Sequence, residues 1–264
     1  MTDVLVAPTR AGVAQVTLNR PERHNAWTVG MQAAYFAALE QLAADPDVRV
    51  IVVTGAGGTF CPGADTEALS RYSETGTTNP AMALIEQPEW YPALVPKPII
   101  AAISGMCAGV GLAQALLCDL RIAAPDTRFT TAFAKRALPP MHGMVPLLTR
   151  VAGDAAAASL LLTARTFHGD EALRLGVVTE VSDAPLERAT ELAEQIAATC
   201  APTSLMTIKQ ALVAPWLAQV EDAVTTVDAT LDDVLGSAEF REGLDSLLER
   251  RPPAFPGLRI DPTH

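Results

Sequence analysis

Two short glycine-rich turns are the segments of this sequence whose residue types could do chemistry. They read Cys61-Pro62-Gly63-Ala64-Asp65 and Cys107-Ala108-Gly109-Val110-Gly111, and each lies between a β-like and a helix-like stretch. Small residues let another group approach the backbone closely, and the first N–H groups of a helix have no partner inside it. Two such N–H groups directed at one oxygen would form an oxyanion hole for an enolate or tetrahedral anion. The alternative is purely structural, since strand-to-helix turns often need glycine.

Other chemistries fit these turns less well. A dinucleotide fingerprint fails because Gln114 stands where the third glycine belongs and the acidic residue about twenty positions later is missing. Four cysteines, Cys61, Cys107, Cys118 and Cys200, form no CxxC pair and no His/Cys metal spacing. We therefore expect buried, inert thiols, no metal site and no bound cofactor.

The elements that must hold the two turns alternate between strand and helix. Residues 3–20 predict a hairpin, Thr28 can cap a helix that ends at Asp45-Pro46, and the apolar run 48–54 is typical of a strand buried on both faces. From Pro185 onward the pattern predicts only helices, over 186–199, 204–213, 217–235 and 238–249. This order predicts an α/β core at residues 1–190 and a C-terminal helical region at 191–264.

Composition excludes several functional classes. The chain has 264 residues, 19% of them charged, and a net charge of −11, which argues against nucleic acid as a partner. Its first 15 residues lack the pattern of a secretory signal, so we expect a cytoplasmic protein. The 21 uncharged residues between Lys97 and Asp119 are long enough for a membrane span. Pro98 and three glycines, however, divide them into a strand and a short helix, so no membrane span is predicted.

Four motifs in order carry a resemblance to a known family. They are Leu18 to Ala26 (LNRPERHNA), residues 55–65 (GAGGTFCPGAD), residues 97–119 (KPIIAAISGMCAGVGLAQALLCD) and residues 163–181 with Gly176-Val177-Val178. Together they resemble the crotonase superfamily, the enoyl-CoA hydratase/isomerase family, over nearly the whole chain.

The resemblance implies a fold and a ligand. The expected α/β fold consists of repeated ββα units in two roughly perpendicular sheets, with a C-terminal helical region that makes homotrimers or dimers of trimers. The expected substrate or ligand is an acyl-CoA or enoyl-CoA thioester of the kind met in fatty acid metabolism. By motif position, the backbone N–H groups of Ala64 and Val110 form the oxyanion hole.

The same motif positions imply the contacts to coenzyme A. Arg23, His24 and Ala26 match positions near the adenine and phosphates, Pro62, Ala64 and Asp65 match positions along the pantetheine, and Gly109 and Val110 match positions at the thioester. Arg23 and His24 could instead be solvated turn residues. Asp65 could equally be the cap of a helix over residues 66–72.

The acids of the resembled hydratases are replaced in this chain. Those enzymes use two glutamates to activate water and to protonate the α-carbon. The matching positions here are Ala113 and Phe133, and the position where some relatives place a carboxylate is Met141. His142, next in sequence, is the candidate acid–base residue because imidazole titrates near neutrality. Its alternative is a hydrogen-bonded turn histidine. The other polar candidates near the expected pocket are Glu67, Lys135 and Arg136. For Glu67 the simpler account is a solvated acidic residue in the first turn of a helix.

Three functions therefore remain open. The first is a protein that binds acyl-CoA and has weak or no hydratase activity. The second is an active enzyme of the hydratase/isomerase type, for example in double-bond isomerisation or C–C chemistry through an enolate, that uses a non-standard acid or base such as His142 or a group of the substrate. The third is a non-catalytic trimeric scaffold. The apolar stripe Leu217, Val220, Val224 and Val227 fits either an oligomer interface or the core of one chain.

Overall fold

Strands and helices alternate in the computed structural model, which describes residues 2–257. The strands are β1 (Val4–Arg10), β2 (Val13–Leu18), β3 (Val50–Gly55), β4 (Ile99–Ile103), β5 (Met106–Ala108), β6 (Leu120–Ala123), β7 (Arg128–Thr130), β8 (Phe167–His168) and β9 (Glu180–Val181). The α-helices are α1 (Val29–Ala44), α2 (Thr66–Thr75), α3 (Tyr91–Leu94), α4 (Val110–Leu117), α5 (Met144–Thr163), α6 (Gly169–Arg174), α7 (Pro185–Thr199), α8 (Pro202–Leu235) and α9 (Ala238–Leu248). Short 3-10 helices cover Pro21–Arg23, Ala56–Gly58, Pro80–Leu84 and Phe133–Arg136.

Six strands form the main sheet in the order β1-β2-β3-β4-β6-β9. β1 and β2 pair antiparallel, which confirms the predicted hairpin, and the other neighbours pair parallel. Every residue of β4 is buried, as expected for a parallel strand covered on both faces. On one face, α7 packs Ala189, Ala193 and Ala197 against apolar side chains of β3, β4 and β6.

A second sheet of three strands, in the order β5-β7-β8, carries the elements that reach the site. β5 leads through Gly109 into α4, and β7 leads into the 3-10 helix Phe133–Arg136. The two sheets and the C-terminal helices confirm the expected fold class.

The C-terminal region differs from the prediction at one point. Instead of separate helices over 204–213 and 217–235, α8 is continuous for 34 residues with Pro215 inside it. A proline costs a helix one hydrogen bond, but Trp216, Val220 and Val224 are buried in the main core on the same helix. Their packing holds the helix across the proline. For Val220 and Val224 the core interpretation of the apolar stripe is therefore correct.

The helix α5 begins at Met144, earlier than the 153–162 segment that the sequence indicates. Among the described helices it is the one with the length and composition to cross a membrane, with 20 residues and a mean hydropathy of 1.4. Gly153 interrupts it with φ 76° and ψ 164°, so each half is far shorter than the roughly 20 residues that a span needs. The uncharged stretch 98–118 forms β4, β5 and α4, which is one strand more than the strand and short helix that the sequence predicts.

Candidate active site

The two glycine turns lie side by side as extended segments. Cys61 donates its N–H to the Met106 carbonyl and accepts the N–H of Ala108, both at 3.0 Å. On the other side, Trp27 donates its N–H to the Gly63 carbonyl at 2.8 Å and accepts the Asp65 N–H at 2.9 Å. The 61–65 segment is thus held between Trp27 and β5.

Glycine is required at the points where these segments meet. Gly63 has φ 110° and Gly109 has φ 50°, both in the left-handed region that side chains disfavour. Gly111 has an ordinary φ, but a Cβ there would lie 2.5 Å from the Cys61 carbonyl oxygen. Helix α4 can approach the 61–65 segment this closely only because residue 111 is glycine.

This packing leaves two backbone donors without acceptors. Val110 is the first residue of α4, so its N–H has no partner inside the helix. Ala64 lies between two residues, Gly63 and Asp65, whose backbone groups are bonded to Trp27. Within residues 2–257, neither the Ala64 N–H nor the Val110 N–H donates a hydrogen bond to the chain.

Both amides belong to residues that line a cavity of about 580 Å³. Its walls are mostly apolar and come from α2, from the 3-10 segment before α3, from the loop after β7 and from α8 and α9. The large apolar and aromatic lining residues include Trp27, Leu69, Tyr72, Met82, Phe133, Leu138, Met141, Leu231, Leu235 and Leu247. The charged or titrating lining residues other than Tyr72 are Glu89, Arg136, His142, Asp228 and Asp232.

The structure brings together part of the residue set that the sequence singles out. The predicted residues that line the cavity are Pro62, Ala64, Gly109, Val110, Phe133, Met141 and His142. Those that lie outside its lining are Arg23, His24, Ala26, Asp65 and Ala113. Ala113 is fully buried within α4. Phe133 and Met141 thus bring apolar side chains to the cavity, and Ala113 does not reach it.

Asp65 serves the local structure. Its carboxylate caps α2 by accepting the Glu67 N–H at 2.9 Å, and it forms ion pairs with Arg20 at 3.1 Å and Arg23 at 3.3 Å. Burial alone would raise the pKa of Asp65, but the Glu67 N–H and the two arginines outweigh it and lower the pKa. Of the two predicted roles, the helix cap is the one that the structure realises.

His142 forms a hydrogen-bonded pair with Glu89 inside the cavity. Its Nδ1 lies 3.0 Å from Glu89 Oε2, and both side chains are mostly buried, with 14% and 20% exposed. Desolvation would lower the pKa of His142, but the Glu89 carboxylate and the charge of Asp228 outweigh it and raise the pKa. Desolvation would raise the pKa of Glu89, yet its charge interaction and hydrogen bond with His142 lower it. Each group therefore favours the charged form of the other, and the hydrogen bond between them is charge-assisted when the ring is protonated.

The backbone around His142 is held in an uncommon conformation. His142 has φ 59° and Gly143 has φ 65°, a region that non-glycine residues rarely occupy. A Cβ at position 143 would lie 2.7 Å from Val220 Cγ1, so the turn is packed directly against α8. Strained residues of this kind concentrate at functional sites because the surrounding structure must hold them in place.

Sequence reasoning identifies His142 but misses its acidic neighbours. Glu89 lies 53 positions earlier in a polar segment that has the composition of a surface loop, and Asp228 lies in a helix whose pattern indicates assembly or core. No local pattern marks either residue. The sequence around His142 holds no acidic residue, and this indicates only that any acidic partner must come from a distant part of the chain.

The buried cysteines are not candidates for chemistry. Burial raises the pKa of Cys61 and that of Cys118 to about 12 and raises the pKa of Cys107 well above its ordinary value, so these thiols stay protonated. Among residues 2–257, no group of three His, Cys, Asp or Glu side chains is arranged to hold a metal ion.

Comparison with known proteins places this geometry in a family context. Residues 8–258 match the family model described as enoyl-CoA hydratase/isomerase. The chain is 35% identical to 1,2-epoxyphenylacetyl-CoA isomerase of Escherichia coli, over 97% of this chain and 100% of that protein. It is 34% identical to a putative enoyl-CoA hydratase of Thermus thermophilus, over 95% and 100%. The crystal structure of an enoyl-CoA hydratase/isomerase from Pseudoalteromonas atlantica superposes with a TM-score of 0.85 at 29% identity, covering 96% of this chain and 100% of that one.

Proposed function

This chain belongs to the enoyl-CoA hydratase/isomerase family, and we propose that its cavity binds an enoyl-CoA thioester and moves the double bond by proton transfer. The reaction class is isomerisation through an enolate, with the thioester carbonyl held by backbone donors. The observation that carries this proposal is the His142–Glu89 pair, 3.0 Å apart, in the same cavity as the two free amides.

The oxyanion hole supplies the electrostatic part of the reaction. The N–H groups of Ala64 and Val110 stabilise the developing negative charge on the thioester oxygen when an α-proton is removed. Such donors act strongly because they are fixed before the charge forms and water is largely excluded. The fixed backbone of Gly63 and Gly109, at the junction of the two turns, supports this assignment.

Coenzyme A extends from the hole along the outer loops. We assign the pantetheine to the surfaces of Pro62 and Gly109, which line the cavity. We assign the adenine and phosphates to Arg23, His24 and Ala26, which lie outside it on the neighbouring loop. Arg23 keeps 38% of its side chain exposed while it pairs with Asp65 and Glu67, so its guanidinium is open to a phosphate.

His142 supplies the proton that completes the double-bond shift. The charges of Glu89 and Asp228 outweigh desolvation and raise the pKa of the ring, which favours its protonated form, and Nε2 makes no hydrogen bond within residues 2–257. Glu89 holds the ring by Nδ1, as an acidic partner does when it fixes the orientation of a catalytic histidine. A charged imidazole oriented in this way is a general acid.

Hydration is the weaker activity in this proposal. Water addition requires groups that activate water and protonate the α-carbon, and the positions that serve the resembled hydratases are Ala113 and Phe133 here. Each positioned acid or base is worth about 10²–10⁴-fold in rate, so hydration of a short 2-enoyl-CoA should be slower by several powers of ten than in a two-glutamate hydratase. Relatives named as isomerase and as hydratase both exist, which makes the ratio of the two activities the decisive quantity.

The test uses trans-3-hexenoyl-CoA for isomerisation and crotonyl-CoA for hydration. We expect the wild-type protein to form the conjugated 2-enoyl thioester and to hydrate crotonyl-CoA slowly. His142→Gln should lower the isomerisation rate by about 10²–10⁴-fold. His168→Gln, which changes an exposed histidine outside the cavity, is the matched control. Fast hydration with no isomerisation would contradict the proposal, and failure of hexanoyl-CoA to bind would favour a scaffold.

We also propose that the protein assembles as a trimer or a dimer of trimers. Ile208 and Leu212 on α8 expose 56% and 65% of their surface, and Leu162 on α5 exposes 80%. We infer that these side chains form part of a surface at which copies of the chain associate. A sedimentation mass equal to a single chain of 27.8 kDa would contradict this assembly.

A further inference from the structure

The proposed isomerisation needs a proton acceptor as well as a donor. When its ring is protonated, His142 holds a proton that it can donate, and Glu89 Oε2 is occupied by the bond to His142 Nδ1. Removal of the α-proton must therefore fall to another group that faces the cavity. The identity of this group rests on the proposed function.

Among the charged and titrating residues that line the cavity, two can take a proton. Arg136 is a cation, and burial raises the pKa of Tyr72 above its ordinary value near 10, so the phenol stays protonated. The remaining groups are the carboxylates of Asp228 and Asp232 on α8. Neither forms an ion pair with another side chain in the part of the chain that the structure describes.

The register of α8 separates these two candidates. Val220 contacts Gly143, the residue after His142, and positions 224, 228 and 232 follow at four-residue steps, each turned about 40° further round the helix axis. Each step of four residues is about 6 Å along the axis. Asp228 therefore lies one turn nearer than Asp232 to the turn that carries His142.

We propose that Asp228 is the catalytic base of this site. Its carboxylate takes the α-proton of a 3-enoyl-CoA, and the C–H electron pair forms the dienolate whose oxygen is held by the Ala64 and Val110 N–H groups. His142 then donates its proton to the γ-carbon, which gives the 2-enoyl-CoA. Protonated Asp228 returns its proton to neutral His142, directly or through water, so no net charge, proton or electron is gained or lost.

The electrostatics of the cavity suit this division of roles. Desolvation and the nearby Glu89 carboxylate raise the pKa of Asp228, with His142 opposing them, so this solvent-exposed carboxylate is a stronger base than an isolated aspartate. The charge of Asp228 in turn raises the pKa of His142. The other charged side chains that line the cavity are Asp232, one turn along α8, and Arg136, which bonds to the Gly243 carbonyl of α9.

The experiment follows trans-3-hexenoyl-CoA in D2O and separates the two proton transfers. Deuterium entering the α-position of recovered substrate reports the base, and formation of 2-hexenoyl-CoA with deuterium at the γ-carbon reports both groups. The variants are Asp228→Asn, Asp232→Asn and His142→Gln. Asp233→Asn makes the same change at an exposed position of α8 outside the cavity and is the control. Affinity for hexanoyl-CoA and the melting temperature are measured for each variant.

The expected results differ between the two roles. Asp228→Asn should lose α-exchange and isomerisation together, by about 10²–10⁴-fold, while it keeps its affinity and melting temperature. His142→Gln should keep α-exchange and lose product formation. Wild-type α-exchange in Asp228→Asn, loss of exchange in Asp232→Asn instead, or a parallel loss of affinity and stability in Asp228→Asn would each overturn the assignment of Asp228. Wild-type isomerisation in His142→Gln would instead overturn the proposed function.

Discussion

Replacing Val110 by proline removes one donor of the proposed oxyanion hole and little else. Val110 is the first residue of α4, and its N–H bonds to no group in residues 2–257. Proline is favoured at this helix position because its missing N–H is unused there and its fixed φ suits the helix. Removing a single oxyanion donor costs about 10²–10³-fold in kcat, or about 2.7–4 kcal/mol of transition-state stabilisation. We therefore expect Val110→Pro to fold and to lose activity by that factor.

The comparison variant is Val110→Ala, which shortens a side chain that is 4% exposed and keeps the N–H. It should lose stability through the space left in the core, with a much smaller loss of kcat, whereas Val110→Pro should show the opposite balance. The assay is isomerisation of trans-3-hexenoyl-CoA at saturating substrate, paired with thermal unfolding. A Val110→Pro protein that melts like the wild type and keeps its kcat would refute the placement of the hole.

Three further outcomes follow from other contacts. Gly111→Ala places a Cβ 2.5 Å from the Cys61 carbonyl oxygen, where ordinary contacts begin at 3.4 Å. The two turns must therefore part by about 0.9 Å, which should lower the rate on the order of 100-fold and lower the melting temperature. The control Gly30→Ala, whose nearest atom lies at 3.4 Å, should change neither. Lys209→Met breaks a buried ion pair with Asp119 at 2.8 Å, and urea unfolding should show a loss of up to about 3 kcal/mol, the low end for buried pairs because Asp119 is partly exposed. The His142–Glu89 pair should stabilise the protein most between about pH 4.5 and 6.5. The pKa of His142 is raised in the folded protein, so the stability that His142 contributes is lost as the pH rises through this raised pKa. The pKa of Glu89 is lowered, so the stability that Glu89 contributes is lost as the pH falls through this lowered pKa. The measurement is the difference in unfolding free energy between the wild type and His142→Gln. An equal difference at pH 6 and pH 9 would contradict the predicted pH dependence.

Local signals in the sequence were sufficient for the backbone of the site. Glycines at 63, 109 and 111 mark places where φ is positive or where two backbones meet, and the residue type points to each of them even though the atoms that Gly111 meets belong to Cys61 in the other turn. The cap of α1 by Thr28 and the hairpin before it are local as well. The order of strands, turns and helices then predicted an α/β fold, because alternating elements of this kind have few ways to bury their apolar faces.

The proposed acid–base groups are brought together only by the tertiary structure. Glu89 and His142 are 53 residues apart and meet only because the segment before α3 and the turn before α5 both face one cavity. Asp228 reaches that cavity because α8 continues through Pro215, a position at which the sequence by itself predicts a break. A carboxylate acquires its function from the charges and the burial that packing places around it. Such neighbours come from distant parts of the chain, so spacing along the sequence determines the glycine turns but not the proposed acid–base groups beside them.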